Sequence, residues 1–394
     1  MSHHILQITG YPIRVPRHGG QIRAHSTRRA LESAGHQVTT FGIFDGRYYP
    51  GESADIDLAD VPHSSVYSKY WQISDFVGGQ TVAVNPALYE QFVARLKDVK
   101  STLIMLEEPW LGSAVLRARR EGHLAVPLIY NSYNVEHEAK RVILNELGAP
   151  EANEIAGEIR SLEQNLAAAA ELSTATTEAD AAIIRKWTYK SVVVARNGTA
   201  KRNLQRLRNI LPDALSPNWR YLLFVGSGHP PNVRGLCDLV LRNLNCLEAN
   251  ERIVVVGSVC DPVYSWMQSQ NSPYVFRDRL SLLGQVSEIV LSCLLSNAAG
   301  ILLPIPFGGG SNLKTAEALV ANKVIVATEA AFRGYEHFLT QEGVFIANEK
   351  AEFRGAMRRA FEWPSSDRLN RSSLEELYWE KTLEPITDAI LRLG

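Results

Sequence analysis

Short apolar runs rich in β-branched residues alternate with longer segments of helical period, and this alternation occurs twice along the chain. Parallel strands need long crossover connections, usually helical, so the alternation predicts parallel sheets covered by helices. A polar, irregular stretch between Asn197 and Asn218 separates the two series. We therefore expect an α/β protein with two Rossmann-like, doubly wound domains that face each other across a cleft. The ligand site of such a protein is expected at the carboxyl ends of the strands.

The apolar runs indicate where the strands and the clearest helices lie. Predicted strands cover residues 5–9, 37–44, 101–106, 127–130, 172–176 and 191–194, and then 221–225, 253–256, 281–283, 300–303, 324–327 and 343–346. The clearest helices cover residues 20–34, 89–96, 112–120 and about 153–170. In each half, strands that alternate with helical segments are typical of a doubly wound sheet.

The length of 394 residues exceeds what one hydrophobic core usually fills, so two domains are expected. We place a first Rossmann-like domain at residues 1–198, a linker at 199–218 and a second Rossmann-like domain at 219–373. A C-terminal segment follows at 374–394.

The charge balance restricts the class of partner. The chain has 41 Lys plus Arg and 42 Asp plus Glu, so it lacks the overall basic field that attracts nucleic acid. Small molecules are the expected partners, and nucleic acid is not. Two local basic stretches, residues 17–29 and 201–208, are where contact with a membrane face would occur, although solvated loops explain them as well.

The cysteines and the N-terminus bear on the cellular compartment. Cys237, Cys246, Cys260 and Cys293 form no C-x-x-C pair, which favours reduced thiols over a disulfide framework or a zinc site. The first residues lack the basic region and long apolar stretch of a signal peptide. The most apolar window, residues 289–305, is interrupted by polar residues and a proline. We expect a cytoplasmic protein that at most associates with the inner face of the membrane.

The segment 301–328, ILLPIPFGGGSNLKTAEALVANKVIVAT, carries the most specific site signal. An apolar strand runs into prolines and three glycines, and Ser311 is a natural N-cap for a helix beginning near Asn312. Glycines let a ligand approach the backbone, and the N–H groups at a helix start attract anions. Lys314 adds a cation, while Glu317 lies on the same helical face as an acceptor for ribose hydroxyls. The pattern fits a nucleoside diphosphate.

The same residues also have a purely structural interpretation, a glycine-rich turn followed by an exposed Lys–Glu pair on a helix. For Gly308, Gly309 and Gly310 alone, neither interpretation is preferred. The order of elements favours the ligand site. A buried strand precedes the turn, and another apolar strand ending in Ala-Thr follows the helix.

The stretch GGGSNLKTAEALVANKVIVAT resembles the donor-binding signature of the retaining GT-B glycosyltransferases, in particular family 4 (glycosyl transferases group 1). Three further stretches match in the same order, so the resemblance covers nearly the whole chain: VVVARNGTA at 192–200, LLFVGSGHPPNVRGL at 222–236 and SLLGQVSEIVLSCLLSNAAGILLPI at 281–305. The family usually has two glutamates separated by seven residues. Glu317 matches the second, which binds the donor ribose, whereas Gly309 stands in place of the first. The role of the first glutamate is therefore unassigned in this chain.

The resemblance implies that residues 219–373 bind the nucleotide-sugar donor, that residues 1–198 form the acceptor side, and that a helix within 374–394 crosses back to the first domain. The donor-binding residues that it implies are Gly19, Gly20, Arg23, Gly226, Arg234, Gly284, Val286, Gly308, Gly309, Gly310, Ser311, Asn312, Lys314 and Glu317. Many members carry an Arg and a Lys after the first strand of the second domain, where this chain has only Arg234. An exposed arginine at a helix start explains Arg234 equally well, so we expect backbone N–H groups and Lys314 to bind the phosphates.

Two segments of the first domain follow predicted strands, LEEPWL at 106–111 and YNSYNVEHEAKR at 130–141. The second resembles a family segment that contains a Val-Glu pair. The residues implied in acceptor binding are Glu108, Asn131 and Asn134, and those implied in catalysis are Lys314, Glu136 and His137. Each first-domain residue, taken singly, is better explained as a cap or a surface residue. Thr177 is expected to cap a helix.

The resemblance implies transfer of a sugar from a nucleoside diphosphate sugar to a hydroxyl, with retention, in glycan or polysaccharide biosynthesis. The acceptor would be a glycan, a lipid-linked molecule or a small molecule. No Asp-x-Asp triplet follows a strand, so we expect neither a metal nor another cofactor.

Three alternatives remain. A nucleotide-sugar epimerase and a non-catalytic nucleotide-sugar-binding protein would share the fold, and the missing first glutamate suits the second of these. An NAD-dependent dehydrogenase is least favoured, because no G-x-G-x-x-G fingerprint follows a strand.

Overall fold

The computed structural model describes residues 2–46, 55–59, 66–202, 215–216, 218–270, 276, 278–364 and 369–393. The chain divides into two units. The first comprises Met1–Asn197, Gly309–Ser311 and Thr382–Gly394, and the second comprises Gly198–Gly308 and Asn312–Lys381. Residues 203–214, which include most of the predicted linker and of the basic stretch at 201–208, lie outside the described residues.

The first unit is built on a seven-stranded parallel sheet. Its strands are β1 (His4–Thr9), β2 (Gln37–Phe44), β3 (Ile56–Asp57), β4 (Leu103–Glu107), β5 (Leu128–Asn131), β6 (Leu172–Ala175) and β7 (Ser191–Val194). They lie in the order β3-β2-β1-β4-β5-β6-β7, so the winding direction reverses between β1 and β4. This reversal is the topological switch point of a doubly wound sheet.

Helices connect these strands. They are α1 (Gly19–Ser33), α2 (Ser74–Val84), α3 (Pro86–Asp98), α4 (Gly112–Arg120), α5 (Glu136–Glu146), α6 (Ala152–Ala169) and α7 (Glu178–Ile184). The Asn85 side chain accepts a hydrogen bond from the Leu88 N–H at the start of α3, where Pro86 occupies the first helical turn. Thr177 Oγ1 accepts from the Asp180 N–H at the start of α7, which confirms the cap predicted at Thr177.

The second unit has a six-stranded parallel sheet in the order β10-β9-β8-β11-β12-β13. Its strands are β8 (Arg220–Val225), β9 (Glu251–Val256), β10 (Leu280–Leu282), β11 (Gly300–Leu303), β12 (Val324–Ala327) and β13 (Val344–Ile346). The switch point lies between β8 and β11.

The helices of the second half are α8 (Pro230–Gly235), α9 (Cys260–Gln268), α10 (Glu288–Asn297), α11 (Leu313–Val320), α12 (Lys350–Glu362), α13 (Trp379–Thr382) and α14 (Glu384–Leu391). After α8 the chain continues in a π-helical segment, Leu236–Val240, and a 3-10 segment, Leu241–Cys246. The last helix, α14, belongs to the first unit. Within the described ranges, no helix is both long enough and apolar enough to cross a bilayer.

Each unit buries its own apolar core. Strands β4 and β9 are buried along their whole length, as expected where helices cover a parallel sheet on both faces. All four cysteines are free thiols, and Cys237, Cys260 and Cys293 are buried.

Every predicted strand is present, with its ends displaced by at most two residues. One local prediction was wrong. The N-cap of α11 is Asn312, whose side chain makes no capping hydrogen bond, whereas Ser311 was expected there. The Ser311 hydroxyl instead accepts a hydrogen bond from the backbone N–H of Asn197, a residue remote in sequence.

Candidate functional site

Ligands of open parallel sheets bind outside the carboxyl ends of the strands, near the switch point. In the second unit, three glycines come together at the ends of β8, β9 and β10. Gly226 N–H donates to the Val256 carbonyl, and Gly257 N–H donates to the Gly284 carbonyl at 2.7 Å. Gly257 and Gly284 both have positive φ, and a Cβ on Gly257 would overlap the Gly226 carbonyl oxygen. Backbone thus forms this edge of the sheet, which suits close approach of a ligand.

The turn after β11 contains the predicted phosphate-binding glycines. Gly308 is exposed, with φ of 147°, a value that favours glycine strongly. A Cβ at Gly308 would lie 2.8 Å from Nη2 of Arg333. The sequence reasoning did not select Arg333, because it follows β12 in a separate loop. Its guanidinium adds a cation beside the turn.

Helix α11 follows this turn and carries Lys314 and Glu317. Thr315 Oγ1 and Asn312 Nδ2 both donate to the carbonyl of Ala331, which ties the start of the helix to the chain after β12. Lys314 is half-buried. Burial lowers the pKa of its ammonium, and nearby Arg333 lowers it further, while Glu317 acts in the opposite direction. An ammonium that has lost part of its hydration beside another cation favours an anion as its partner.

Glu317 makes an ion pair that the sequence did not indicate. Arg202 Nη2 lies 3.3 Å from Glu317 Oε1, and Arg202 Nε lies 2.7 Å from Glu288 Oε1. Glu288 begins α10, two residues after Val286, which is one of the implied donor-binding residues. One guanidinium therefore joins Glu317, the predicted ribose-binding residue on α11, to Glu288 at the start of α10.

Arg234, the expected replacement for the missing phosphate-binding cations, is more than half exposed on α8. Its guanidinium lies 3.8 Å from an Asp238 carboxylate oxygen and 5.7 Å from the centre of the Phe307 ring. Phe307 precedes Gly308, so Arg234 stands near the glycine turn without being buried in it.

In the first unit, Gly19 and Gly20 form the start of α1. Gly19 is exposed, and a Cβ there would meet no atom within 4 Å. Gly20 is different, because a Cβ would overlap the hydroxyl of Tyr11. The exposed end of α1 is thus open to an approaching ligand, as an anion-binding helix start must be.

A buried polar network lies at the ends of β4 and β5, and it includes one predicted residue, Asn131. Glu107 accepts hydrogen bonds of 2.6 Å from Gln7 Nε2, Asn131 Nδ2 and the Tyr133 hydroxyl. Asn131 is fully buried, and its Oδ1 accepts a hydrogen bond from Thr174. Both polar atoms of Asn131 are committed inside the unit, so it is not placed to bind an acceptor.

Arg23 was predicted to be a donor-binding residue, yet it is 1% exposed. Its Nη2 donates to the Ala195 carbonyl at 2.8 Å and its Nη1 to Asn197 Oδ1 at 3.2 Å. The guanidinium also lies over the Tyr133 ring. Arg23 therefore ties α1 to the end of β7 and is not a surface cation.

Two other predicted residues, Glu108 and Glu136, form a pair of buried carboxyl groups that interact electrostatically. The Tyr11 hydroxyl donates to Glu108 Oε2 at 2.5 Å, and Asn134 Nδ2 donates to Glu136 Oε1 at 2.6 Å. Burial raises the pKa of Glu108 to about 8, with Glu136 adding to the effect, and burial raises the pKa of Glu136 to about 7. Glu108 also has φ of 59°, an uncommon conformation for a non-glycine residue that is often found at functional sites.

A cation lies beside these carboxyl groups. Lys140 Nζ is 2.7 Å from Asp75 Oδ2 and donates to the Gln72 carbonyl. Burial alone would lower the pKa of Lys140, but Asp75 and Glu136 outweigh burial and raise it. The group thus combines a cation with carboxyls that can hold or release a proton near neutral pH.

His137, a predicted catalytic residue, is oriented by a carboxylate that sequence reasoning missed. Glu163 of α6 is fully buried, and its oxygens accept from the N–H groups of Glu136 and His137 and contact His137 Nδ1 at 2.6 Å. A buried carboxylate at the start of α5 is favoured by the helix dipole. Glu163 therefore fixes both predicted residues at the start of α5.

The short segment Gly309–Ser311 belongs to the first unit and is held by the loops after β5, β6 and β7. Ser311 N–H donates to Thr176 Oγ1, and Asn197 Nδ2 donates to the Ser311 carbonyl at 2.7 Å. Gly310 has φ of 62°, and a Cβ there would overlap Asn134 and the Tyr133 carbonyl. The N–H and hydroxyl of Ser311 are thus occupied by protein groups.

The structure accordingly places Lys314 and Glu317 on one helix, and it brings Glu108, Glu136 and Asn134 together. Across the part of the chain that the structure describes, no cluster of three or more His, Cys, Asp or Glu residues is arranged to hold a metal ion.

Comparison with known proteins gives matches at the level of structure. No protein-family model and no curated protein matches the chain. Sucrose-phosphate synthase from Thermosynechococcus elongatus matches with a TM-score of 0.73 and 16% identity, over 99% of this chain and 98% of that one. Anabaena HepE in complex with UDP and glucose matches with a TM-score of 0.64 and 14% identity, over 98% and 99%.

Starch synthase IV from Arabidopsis thaliana, bound to ADP and acarbose, matches with a TM-score of 0.62 and 12% identity, over 100% and 98%. Full coverage of both chains in these matches shows that the protein has the GT-B fold, as predicted.

Proposed function

We propose that the protein is a glycosyltransferase that moves a hexose from a nucleoside diphosphate sugar to a hydroxyl group, with retention at the anomeric carbon. The observation that carries the proposal is the placement of Lys314 and Glu317 on α11, directly after the glycine turn that follows β11. Two similar structures support it, because HepE holds UDP and glucose and starch synthase IV holds ADP and acarbose.

The donor would bind to the second unit. Glu317 would accept hydrogen bonds from the ribose hydroxyls, and the backbone around Gly226 and Gly284 would lie against the base. Lys314, Arg333 and the start of α11 would hold the diphosphate, because a helix start and side-chain cations both favour anions.

In the reaction, the bond between the anomeric carbon and the diphosphate oxygen breaks. A bond to the acceptor oxygen forms on the same face of the sugar, and the acceptor hydroxyl gives its proton to an oxygen of the departing diphosphate, which leaves as the nucleoside diphosphate. Negative charge grows on the departing diphosphate, so fixed cations that are poorly hydrated stabilise this stage most. We propose this role for Lys314 and Arg333, and we propose that no metal ion is required.

The acceptor would bind to the first unit. Glu108 and Glu136 lie close to the ends of β4 and β5, and the start of α5 holds His137 in one orientation. Carboxyl and imidazole groups bind sugar hydroxyls through hydrogen bonds, and carboxyl groups whose pKa is raised toward neutrality can also exchange protons with them. We propose that the acceptor is a glycan, lipid-linked or small-molecule hydroxyl compound.

A thermal-shift screen of the purified protein with UDP, GDP, dTDP, ADP and CMP, in the presence of EDTA, tests the donor assignment. A ligand at about 100 times its Kd stabilises the folded state by about 2.7 kcal/mol. One diphosphate should stand out, and Glu317→Ala should reduce its effect. Glu329→Ala, which removes an exposed carboxylate from the short 3-10 helix Glu329–Phe332 after β12, is the matched control. No response to any nucleotide by folded wild-type protein would contradict the proposal.

Turnover distinguishes a transferase from its alternatives. Release of free nucleoside diphosphate that depends on an added hydroxyl acceptor is expected. Conversion of the donor to an isomeric nucleotide sugar without acceptor would identify an epimerase instead. Tight binding with no reaction across a broad acceptor panel would identify a nucleotide-sugar-binding protein. Activity lost in EDTA and restored by Mg²⁺ would contradict metal independence.

A further inference from the structure

The chain entering the second unit is anchored immediately before Arg202. Thr199 N–H donates to the Leu377 carbonyl at 2.8 Å, and Trp379 N–H donates to the Thr199 carbonyl at 3.2 Å. Thr199 is buried, and the ammonium of Lys201 lies over the Tyr378 ring. The backbone that presents Arg202 is thus part of the folded second unit.

The Arg202 side chain contacts two carboxylates on different helices. It is 17% exposed, and its partner Glu317 on α11 is 19% exposed, whereas Glu288 on α10 is 67% exposed. Burial alone would lower the pKa of Arg202, but the two carboxylates outweigh burial and raise it. The more buried pair, Arg202 with Glu317, is screened least by solvent.

Glu317 has a second cationic neighbour on its own helix. Lys314 lies three residues earlier on α11, a spacing at which opposite charges on a helix attract. A Glu317 side chain turned toward Lys314 would neutralise the cation proposed for the diphosphate. It would also withdraw the carboxylate proposed for the ribose. Arg202 donates to Glu317 Oε1 from the chain that enters the second unit, and this hydrogen bond opposes that movement.

We propose that Arg202 is a positioning residue of the nucleoside site, which holds Glu317 in the orientation that binds the ribose hydroxyls. This inference rests on the proposed function. Because Arg202 also pairs with Glu288, it joins the helix proposed to bind the ribose to the start of α10, which follows the Gly284 turn proposed for the base. Recognition of the ribose hydroxyls should therefore depend on Arg202, although Arg202 itself need not touch the nucleotide.

Discrimination between UDP and 2′,3′-dideoxy-UDP, measured by titration calorimetry, isolates this role; if the screen selects another base, the corresponding pair is used. A hydrogen bond to a charged group contributes about 1.5–3 kcal/mol, so the wild type should prefer the ribonucleotide by about 10- to 100-fold. Arg202→Met should lose most of this preference, as Glu317→Gln should. The double variant should lose no more than Glu317→Gln alone, because both changes remove one shared interaction.

Two controls accompany these variants. Arg202→Lys keeps the positive charge, but an ammonium lacks the rigid fork that contacts two carboxylates at once. This variant should therefore retain part of the preference for the ribonucleotide that Arg202→Met loses. Arg242→Met removes another partly exposed arginine of the second unit, which pairs with Asp238, and should bind both nucleotides as the wild type does. Equal melting temperatures of the wild type and the Arg202→Met variant without nucleotide exclude general unfolding as the cause.

The possible failures are distinguishable. Wild-type protein that binds neither nucleotide would overturn the proposed function and this inference together. Wild-type protein that binds both equally would remove Glu317 from the ribose. A wild-type preference that persists in Arg202→Met, or losses that add in the double variant, would overturn the role of Arg202 and leave the donor site intact.

Discussion

Lys314 is the side chain whose removal should separate catalysis from binding. It lies in the first turn of α11, half-buried, with a pKa lowered by burial and by Arg333. Its attraction for the diphosphate should be greatest when the leaving group carries its full charge. Lys314→Met should therefore lower kcat by about 100-fold, while the Kd for the uridine nucleoside changes by less than about threefold.

Steady-state kinetics with the donor, together with calorimetry of uridine binding, provides this comparison. Lys350→Met, which removes an exposed ammonium at the start of α12 in the same unit, should leave both quantities unchanged. An equal loss in nucleoside binding and in kcat would mean that Lys314 supports the fold of the site and not the departing group.

The buried carboxyl groups of Glu108 and Glu136 should make the protein less stable as the pH rises. In the unfolded chain both carboxyl groups have a pKa of 4.5. In the folded chain burial raises the pKa of Glu108 to about 8 and the pKa of Glu136 to about 7. Between the unfolded and the folded pKa values, the native state binds more protons than the unfolded state. The free energy of unfolding therefore falls as the pH rises through this range. Each unit by which folding shifts a pKa changes the free energy of unfolding by about 1.4 kcal/mol across the full titration.

Glu108→Gln removes one of these titrations and keeps an oxygen for the Tyr11 hydroxyl. Urea unfolding of this variant between pH 5 and pH 8.5 should show a smaller decrease in stability than the wild type. Glu90→Gln, at an exposed position on α3, should follow the wild-type curve. Parallel curves for Glu108→Gln and the wild type would show that Glu108 ionises normally in the folded protein.

At the scale of elements, helix α8 is packed so closely that one methyl group should disturb the donor side. A Cβ on Gly235 would overlap the carbonyl oxygen of Pro304, the residue after β11. Overpacking of this kind usually destabilises by about 1–3 kcal/mol. Gly235→Ala should lower the melting temperature and also weaken nucleotide binding, because Pro304 leads into the glycine turn.

Gly355→Ala is the matched control for this change. Gly355 lies in helix α12 of the same unit, and a Cβ there would meet no atom within 4 Å. Alanine is a better helix former than glycine, so this variant should be about 0.5–1 kcal/mol more stable. The close packing of α8 would be refuted if both variants melted above the wild type.

The strands and the helix α11 were predictable from sequence because each is determined by its own apolar period and flanking turns. Helix α2 was not predicted, since its sequence SDFVGGQTVAV has two glycines and several β-branched residues. It forms because Gly79 lets the helix approach the Trp110 carbonyl, a contact with a distant part of the chain. Tertiary packing here overrides weak local propensity.

The site residues also fall into two groups, those that local sequence determines and those that only tertiary packing determines. Lys314 and Glu317 follow from spacing on one helix, but the pairing of Glu317 with Arg202 joins residues that are 115 positions apart and has no local signal. Arg23 and Asn131 look like ligand-binding residues in the sequence. Whether a polar side chain faces solvent or a buried network depends on neighbouring strands, which the sequence does not order.

At the scale of the whole molecule, the two units have separate cores, and the proposed donor contacts lie mainly in the second. Hydrogen exchange with and without UDP should therefore show protection gained in the second unit. The gain is expected at Gly226, Gly284 and the first turn of α11, where binding would stabilise backbone that local opening exposes. Strands β1 and β2 of the first unit should exchange at the same rate with and without UDP.

Glu317→Ala should reduce every gain in protection in proportion to its weaker nucleotide binding, because occupancy of one site controls all of the gains. Protection confined to the first unit would place the nucleotide on the side assigned to the acceptor, and the assignment of the two units would have to be reversed.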